Sequence, residues 1–386
     1  MTKDARKQIR EGLEGIVVAE TTNSMVDGIN GRLLYVGYQI DDLAHYATFE
    51  EVVYLLWHKE LPTEPQLKAF KATLAQARSL PQTVIDTLRL MPKHAHPMSA
   101  LRTGMSMLGC VDDDSERAIS DESVRMKVVT RIVATIPTII AAYERIRQGL
   151  EPLAPREDLG HAANFLYMMQ DAEPGPAAVR ALDAYLVLLA DHGFNASTFS
   201  GRVTAATLAD PYSAVTSAIG TLKGSLHGGA NQRVMEMLQE IDDPEHAKDW
   251  VMARIEAKER IMGIGHRVYK TLDPRAKVLR VMSSELAHES GSTLHAKAVN
   301  VADTAVEYFE ANRPDLKLYP NVDFYSAVVL DAAGIPVDQF TPAFAMSRSG
   351  GWCAHLLEQY RNNRLIRPRA DYEGPSERPW LPLWDR

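Results

Sequence analysis

Apolar residues recur at helical spacing along almost the whole chain, and this periodicity constrains the fold more than any other feature. Strand signals are few. Residues 15–19 and 32–36 predict one small hairpin around a turn at 27–31. The chain is therefore expected to be mainly α, with a small N-terminal β-hairpin. Helices are predicted at roughly 48–58, 124–148, 177–191, 244–260, 274–288, 297–311, 324–333 and 344–360.

Residue types at the helix ends support these assignments. Thr48 and Glu51 form a capping box before an apolar stripe, and a second helix start is predicted where Thr63 precedes Gln66. In the long helix at 124–148, Pro137 predicts a kink. Gly149 predicts the end of this helix.

Composition narrows the class of protein. The 386 residues are 46% hydrophobic, which suffices for a real core and fits two domains. Cys110 and Cys353 are too few for a disulfide framework, which favours a reducing compartment. Residues 1–15 lack the apolar core of a signal peptide, and the apolar run at 132–143 is short of the roughly 20 residues of a membrane span. A cytoplasmic protein without a membrane partner is expected.

The charge balance of the chain bears on two kinds of partner, nucleic acids and acidic metabolites. With 42 Lys and Arg against 50 Asp and Glu, the net charge is −8, which argues against general nucleic-acid binding. The same charge predicts long-range repulsion of acidic metabolites. His94 and His96 have no third ligand nearby in sequence, so no metal site is predicted.

Three segments carry residue types that simple packing does not require. In the first, residues 224–231 (GSLHGGAN), three glycines surround His227 just before a helical pattern. The partial positive charge of a helix N-terminus favours a neutral imidazole, which donates a hydrogen bond without being charged. A glycine-rich turn with an incidental histidine is the equally weighted alternative.

The second segment, residues 260–269, presents His266 on a loop bordered by Gly263 and Gly265. A dinucleotide fingerprint is a weak interpretation, because no third glycine follows and no strand precedes. The nearby Arg260, Arg267 and Arg275 suit a small dicarboxylate with a polarisable carbonyl. Basic surface residues on a turn are the alternative.

The third segment, residues 320–327 (PNVDFYSA), places Asp323 where a helix begins. An N-cap is the usual role for such a residue, and a partly desolvated base is the alternative. Arg348 lies in MSRSGGW, and four arginines with no acid occupy residues 361–369. Basic runs of this kind are usually solvated, although Pro368 and the apolar pair Leu365 and Ile366 favour an ordered segment docked elsewhere.

Taken in this order, the segments resemble the citrate synthase family. The matching motifs are GSLHGGAN, GIGHRVY with the following DPR, PNVDFYSA, MSRSGGW and NRLIRPR, together with DHGFNAST at residues 191–198. The similarity runs from about residue 15 to the end of the chain.

The resemblance implies a role for each matched residue. Asp323 would remove a methyl proton from acetyl-CoA, neutral His227 would hydrogen-bond the thioester oxygen, and His266 would donate to the ketone of oxaloacetate. The citryl-CoA formed would be hydrolysed to citrate and CoA. Oxaloacetate would be bound by His192, Arg275, Arg348 and Arg367, the last from the partner subunit, and coenzyme A by Arg260, Ile261, Met262, Gly263 and Ile264.

The resemblance also implies the architecture. A two-domain, mainly helical fold is expected, with a large domain at 1–227 and 329–386, a small domain at 228–328, and a homodimer that shares its active sites. No cofactor is expected beyond the CoA thioester that serves as substrate. A 2-methylcitrate synthase using propionyl-CoA is the alternative function, which the run Asp323-Phe-Tyr-Ser disfavours. A catalytically silent relative is a further alternative, which the presence of His227, His266 and Asp323 disfavours.

Overall fold

The computed structural model describes residues 11–13 and 15–386, and helices dominate that part of the chain. The prediction of a mainly α fold is confirmed. The helices are α1 (Ile40–Tyr46), α2 (Phe49–His58), α3 (Glu64–Gln76), α4 (Gln82–Arg89), α5 (Pro97–Val111), α6 (Glu122–Gln148), α7 (His161–Gln170), α8 (Pro176–Leu189), α9 (Ala196–Ala205), α10 (Pro211–Leu222), α11 (Ala230–Gln239), α12 (Ala247–Glu256), α13 (Pro274–Ser290), α14 (Leu294–Asn312), α15 (Val322–Ala332) and α16 (Phe340–Arg361).

The capping signals are also confirmed. Thr48 caps α2 by accepting a hydrogen bond from the backbone of Glu51, and Thr63 and Gln66 form the capping box of α3. Gly149 ends α6 in the left-handed region, at φ 83°. His96 has a capping role as well, because its Nδ1 accepts from Met98 N at the start of α5.

The small sheet differs from the prediction in its first strand. The strands are β1 (Ser24–Asp27), β2 (Arg32–Tyr35) and β3 (Tyr38–Gln39), all antiparallel, so residues 15–19 are not part of the hairpin. The turn at 27–31 explains the difference. Asp27 pairs directly with Arg32, and in this register residues 15–19 would lie opposite residues 40–44, which belong to helix α1.

Two long helices form the centre of the core. In α6, 83% of the most apolar 18-residue window is buried, and its length and hydropathy alone would allow a membrane span. The burial identifies α6 as a core helix. Helix α16 is buried along almost its entire length and packs against α6, α9, α2 and α8, which carries Arg348 into the interior.

Helices α11–α15 form a second group. Helix α15 packs against α13 and α11, and α14 packs against α12. This group meets the rest of the molecule where α13 and α15 contact α8. The segments singled out in the sequence lie around this meeting point.

Candidate active site

His227 lies in the turn between α10 and α11, and Ser197 holds one edge of its ring. The backbone N–H of Ser197 donates to Nε2 at 3.3 Å. A ring nitrogen that accepts a hydrogen bond carries no proton, so the proton of the neutral ring is on Nδ1. Burial, followed by the charge of Arg348, lowers the pKa of His227 to about 4. His227 is therefore a neutral hydrogen-bond donor at pH 7.

Ser197 is fixed by partners of its own. Its Oγ lies 2.8 Å from both His227 Nε2 and Asn195 Oδ1, so its one hydroxyl proton is shared between these two acceptors, and it accepts from Trp352 Nε1 at 3.1 Å. The residue after the histidine must be glycine for a local reason: a Cβ on Gly228 would lie 2.2 Å from the carbonyl oxygen of Leu222. Gly228 is therefore required because the backbone at this position passes close to the backbone of Leu222.

His266 has the opposite tautomer. Its Nδ1 accepts hydrogen bonds from the backbone N–H groups of Val268 at 2.9 Å and Tyr269 at 3.0 Å, so the neutral ring carries its proton on Nε2. Burial, followed by the charge of Arg275, lowers the pKa of His266 to about 4. His266 is the second neutral donor.

An aromatic cluster surrounds His266. Its ring centroid lies 4.8 Å from that of Tyr269 and 5.8 Å from that of His192. His192 Nε2 lies 3.2 Å from the Tyr269 hydroxyl, and burial lowers the pKa of His192 well below its ordinary value. Three polar rings therefore meet beside Arg275, whose guanidinium lies 5.8 Å from the Tyr269 ring centroid.

Asp323 lies in the first turn of α15 and is not the N-cap. The cap is Asn321, whose side chain accepts from the backbone N–H of Asp323 at 3.0 Å. No donor among the described residues bonds the Asp323 carboxylate. Burial raises the pKa of this carboxyl to about 6, against the lowering effect of Arg275 and Arg348. The carboxylate is thus ionised at pH 7 and more basic than an ordinary aspartate.

Asp273 ties the start of α13 to the start of α15. Its carboxylate accepts from Arg275 Nε at 3.0 Å, from Arg275 Nη2 at 2.8 Å and from the backbone N–H of Val322 at 3.1 Å. It also caps α13. Arg275 is 3% exposed, and its Nη1 has no acceptor among the described residues. Asp273 therefore fixes the position of Arg275 and of the turn that presents Asp323.

Arg348 is a buried cation with spare donors. It is 2% exposed, donates from Nε to the carbonyl of Leu189 at 2.7 Å, and stacks at 4.7 Å on the ring of Phe344. Within the described part of the chain, its two terminal nitrogens have no acceptor. The Phe344 ring centroid also lies 6.4 Å from that of His227, and the charge of Arg348 contributes to the lowered pKa of His227.

Residues 260–264 lead into the His266 loop. Arg260 is exposed, Ile261 is buried, and Ile264 forms an isolated bridge with Pro320. Gly263 adopts φ 77°, and a Cβ there would lie 2.8 Å from Val234 and 2.9 Å from the Phe324 ring. The backbone N–H of Met262 points at Met237 Sδ, at 3.3 Å. This segment therefore packs directly against the residue that follows Asp323.

The structure does not bring Arg367 to this cluster. Arg367 is exposed in the segment after α16, where it lines a cavity of about 990 Å³ with Arg202, Arg361 and Arg364. Most of the other predicted residues form two contact groups, and the charges of Arg275 and Arg348 act on the pKa of both His192 and Asp323. Contacts run from His227 through Phe344 to Arg348, and from His192 through Tyr269 to His266 and Arg275.

Sequence reasoning missed three positioning residues: Ser197, Tyr269 and Asp273. All three act through contacts distant in sequence, such as that between Ser197 and His227, so periodicity carries no signal for them. Asp273 alone had a local signal, because an Asp before a proline and a helical pattern is typical of an N-cap.

Fold and site together define a class: a mainly helical enzyme with a basic carboxylate, two neutral imidazole donors and buried arginines with free nitrogens. The family comparison agrees with this. The sequence model described as "Citrate synthase, C-terminal domain" matches residues 12–369, and the chain belongs to the citrate synthase family, whose members are acyltransferases.

Individual relatives cover the whole chain. The "Citrate synthase 2" of Bacillus subtilis is 48% identical over 97% of this chain and 98% of its own length. The crystal structure of citrate synthase from Pyrobaculum aerophilum is 42% identical, with a TM-score of 0.91, and covers 98% of this chain and 95% of that one. Citrate synthase from Thermoplasma acidophilum, solved as a ternary complex with carboxymethyl coenzyme A and oxaloacetate, is 31% identical, with a TM-score of 0.87, and covers 98% of this chain and 100% of that one.

The alternative function also has a relative. The 2-methylcitrate synthase of Shewanella oneidensis is 41% identical over 99% of this chain and 100% of its own length. Because the relatives at 48%, 47% and 44% identity are all named citrate synthase, the comparison does not favour this alternative.

Proposed function

We propose that this enzyme condenses acetyl-CoA with oxaloacetate and hydrolyses the resulting citryl-CoA to citrate and CoA. The observation that carries the proposal is the unbonded Asp323 carboxylate with a pKa of about 6, in one site with two neutral histidines. A methyl C–H beside a thioester is a weak acid, so its removal needs both a base and an oxyanion donor.

The base and the first donor act together on acetyl-CoA. Asp323 takes a methyl proton, and the electron pair of the C–H bond moves to form the enolate. The thioester oxygen, where negative charge develops, receives the Nδ1 proton of His227 in a hydrogen bond. Removing one such preorganised donor typically costs about 3 to 4 kcal/mol of transition-state stabilisation.

Oxaloacetate suits the remaining groups. Its two carboxylates match the free guanidinium nitrogens of Arg275 and Arg348, because a guanidinium binds a carboxylate with two parallel hydrogen bonds. His266 donates from Nε2 to the ketone oxygen, and His192 adds a polar contact. As the enolate carbon bonds to the ketone carbon, the ketone oxygen becomes the alkoxide that His266 stabilises. In the net reaction, the proton that Asp323 removed from the methyl group ends on this oxygen, which gives citryl-CoA and restores the carboxylate.

The second half of the reaction is thioester hydrolysis. Water adds to the citryl thioester carbon, the C–S bond breaks, and CoA leaves as the thiol. We assign the CoA contact to Arg260, Ile261, Met262, Gly263 and Ile264, since this segment packs beside the Asp323 turn. The proposal includes no cofactor beyond the CoA thioester substrate.

We further propose two domains, 1–227 with 329–386 and 228–328, that close on oxaloacetate and keep the enolate from water. The grouping of α11–α15 supports a separate unit, and the boundary at 328 falls inside α15. We also propose a cytoplasmic homodimer in which Arg367 enters the partner's site. Its exposure, and its place in a cavity that none of the other predicted site residues lines, support that part.

The choice of acyl group is decided by comparing kcat/KM for acetyl-CoA and propionyl-CoA. We expect acetyl-CoA to be the better substrate. A methylene in a pocket discriminates by roughly 1 to 3 kcal/mol, which is about 10- to 200-fold. A higher kcat/KM for propionyl-CoA would replace the proposal by 2-methylcitrate synthesis, and no thiol release from either substrate by folded protein would indicate a silent relative.

A further inference from the structure

The turn between β1 and β2 lies directly against the loop that presents His266. The backbone N–H of Lys270 donates to the carbonyl of Gly28 at 2.8 Å. A Cβ on Gly28 would lie 2.2 Å from the carbonyl oxygen of Val268, a distance that no side chain can relieve because the obstructing atom is backbone. The φ of Gly28 lies outside the left-handed region, so close approach alone requires glycine there.

A second glycine makes a similar contact. Gly31 adopts φ 63°, and a Cβ there would lie 2.7 Å from Thr271 Cγ2 and 3.1 Å from the carbonyl oxygen of Leu272. The turn itself is internally braced, because the Asp27 carboxylate accepts from the backbone N–H groups of Ile29 at 3.1 Å and Asn30 at 3.0 Å. Because these hydrogen bonds hold the shape of the turn, a side chain added at Gly31 would displace residues 271 and 272 and not the turn itself.

The same stretch of backbone contacts the turn on one side and His266 on the other. The N–H groups of Val268 and Tyr269 donate to His266 Nδ1, while the Val268 carbonyl and the Lys270 N–H face Gly28. Moving these peptide groups would therefore disturb the bonds that fix the ring and its tautomer.

We propose that residues 27–31, the clasp, position His266 for the ketone of oxaloacetate by holding residues 268–272. Gly28 and Gly31 are thus positioning residues of the reaction. This inference rests on the proposed function, because it uses the assignment of His266 to the ketone. Under the proposed domain division, the clasp joins the large domain to the small one.

The test is Gly28→Ala, with Ile29→Ala as the control. Ile29 is in the same turn and is 81% exposed, so its truncation leaves the contact intact. A displacement of about 1 Å can cost on the order of 100-fold in rate, so we expect Gly28→Ala to raise both KM and Kd for oxaloacetate by at least about tenfold and to lower kcat. Thermal unfolding should stay cooperative, and Ile29→Ala should match the wild type.

A second pair of variants keeps the proposal testable if Gly28→Ala does not fold. Gly31→Ala should weaken oxaloacetate binding, and adding Thr271→Ala, which removes the obstructing methyl, should restore part of the affinity. Backbone strain at φ 63° would be the same in both variants, so rescue reports the contact.

Two results would overturn the clasp in an active wild-type enzyme. One is a folded Gly28→Ala variant with wild-type Kd and KM for oxaloacetate, even if its melting temperature falls. The other is a Gly31→Ala variant that Thr271→Ala does not rescue. An inactive wild type would instead refute the proposed function.

Discussion

The elevated pKa of Asp323 predicts that removing its charge stabilises the fold while it abolishes catalysis. Burial raises the pKa from the ordinary 3.8 to about 6. An acid whose pKa is raised by folding binds its proton more tightly in the folded state, so stability is lost as the pH rises from about 4 to about 6. Above pH 6 the whole cost is present. At 1.36 kcal/mol per unit, this cost is about 3 kcal/mol.

Asp323→Asn removes the charge and keeps the shape. Unfolding entropy is about 2.1 cal/mol/K per residue, which gives about 0.8 kcal/mol/K for 386 residues, so 3 kcal/mol corresponds to about 4 °C. We therefore expect Asp323→Asn to melt about 4 °C above the wild type at pH 7 and together with it near pH 4. Differential scanning calorimetry at the two pH values measures both.

The matched control is Asp249→Asn. Asp249 also lies in the first turn of a helix, α12, and is exposed. Its loss should cost about 0.3 to 1 kcal/mol at neutral pH, through the helix dipole alone. The reasoning about Asp323 is refuted if Asp323→Asn is less stable than the wild type at pH 7, or if its gain is the same at pH 4.

Three further predictions concern the residues around the base. Ser197→Ala should lower kcat by about tenfold with little change in the KM for oxaloacetate, because it removes the hydroxyl group beside His227 Nε2. An unchanged kcat in steady-state kinetics would show that the serine only packs. Asp273→Ala should destabilise the fold by roughly 3 to 5 kcal/mol, since it leaves the buried Arg275 unpaired. The control Asp303→Ala breaks an exposed pair with Arg280 and should cost about 1 kcal/mol or less in the same melting experiment. Arg367→Ala should raise the KM for oxaloacetate, and heterodimers formed with an Asp323→Asn subunit should regain activity; no gain in confirmed heterodimers would contradict a shared site.

The sequence predicted α2, α6, α8 and α12–α16 because their signals are local, whereas α1, α4, α5, α7, α9 and α10 were not predicted individually. Apolar periodicity and the caps at Thr48, Thr63 and Gly149 depend only on residues a few positions apart. The prediction of the first strand was wrong because strand pairing depends on a second segment as well as on local residues. Residues 15–19 have strand-like side chains, but pairing is set by the turn, and the ladder starts where Asp27 meets Arg32.

At the site, the sequence identified residue types but not their partners. It left Asp323 open between cap and base, because Asn321 and Asp323 are both good caps two positions apart. Only the backbone shows that Asn321 takes the bond. The tautomers of the two histidines likewise depend on the backbone N–H groups of Ser197, Val268 and Tyr269, and a one-dimensional pattern does not report those.

The net charge of −8 gave the least specific guidance. It predicted repulsion of acidic metabolites, yet Arg275 and Arg348 are buried beside the proposed base with free donors. A field screened over about 8 Å at physiological salt is weak against contacts at hydrogen-bond distance. The placement of these two arginines, and not the total charge, indicates a dianionic substrate.

The central claim is that Asp323 removes the carbon-bound proton. Turnover of acetyl-CoA by Asp323→Asn at saturating oxaloacetate tests it most directly, with the Kd for oxaloacetate measured on the same sample. General-base catalysis contributes about 10²- to 10⁴-fold, so we predict a loss of kcat in that range with an unchanged Kd. A kcat close to that of the wild type would contradict the assignment.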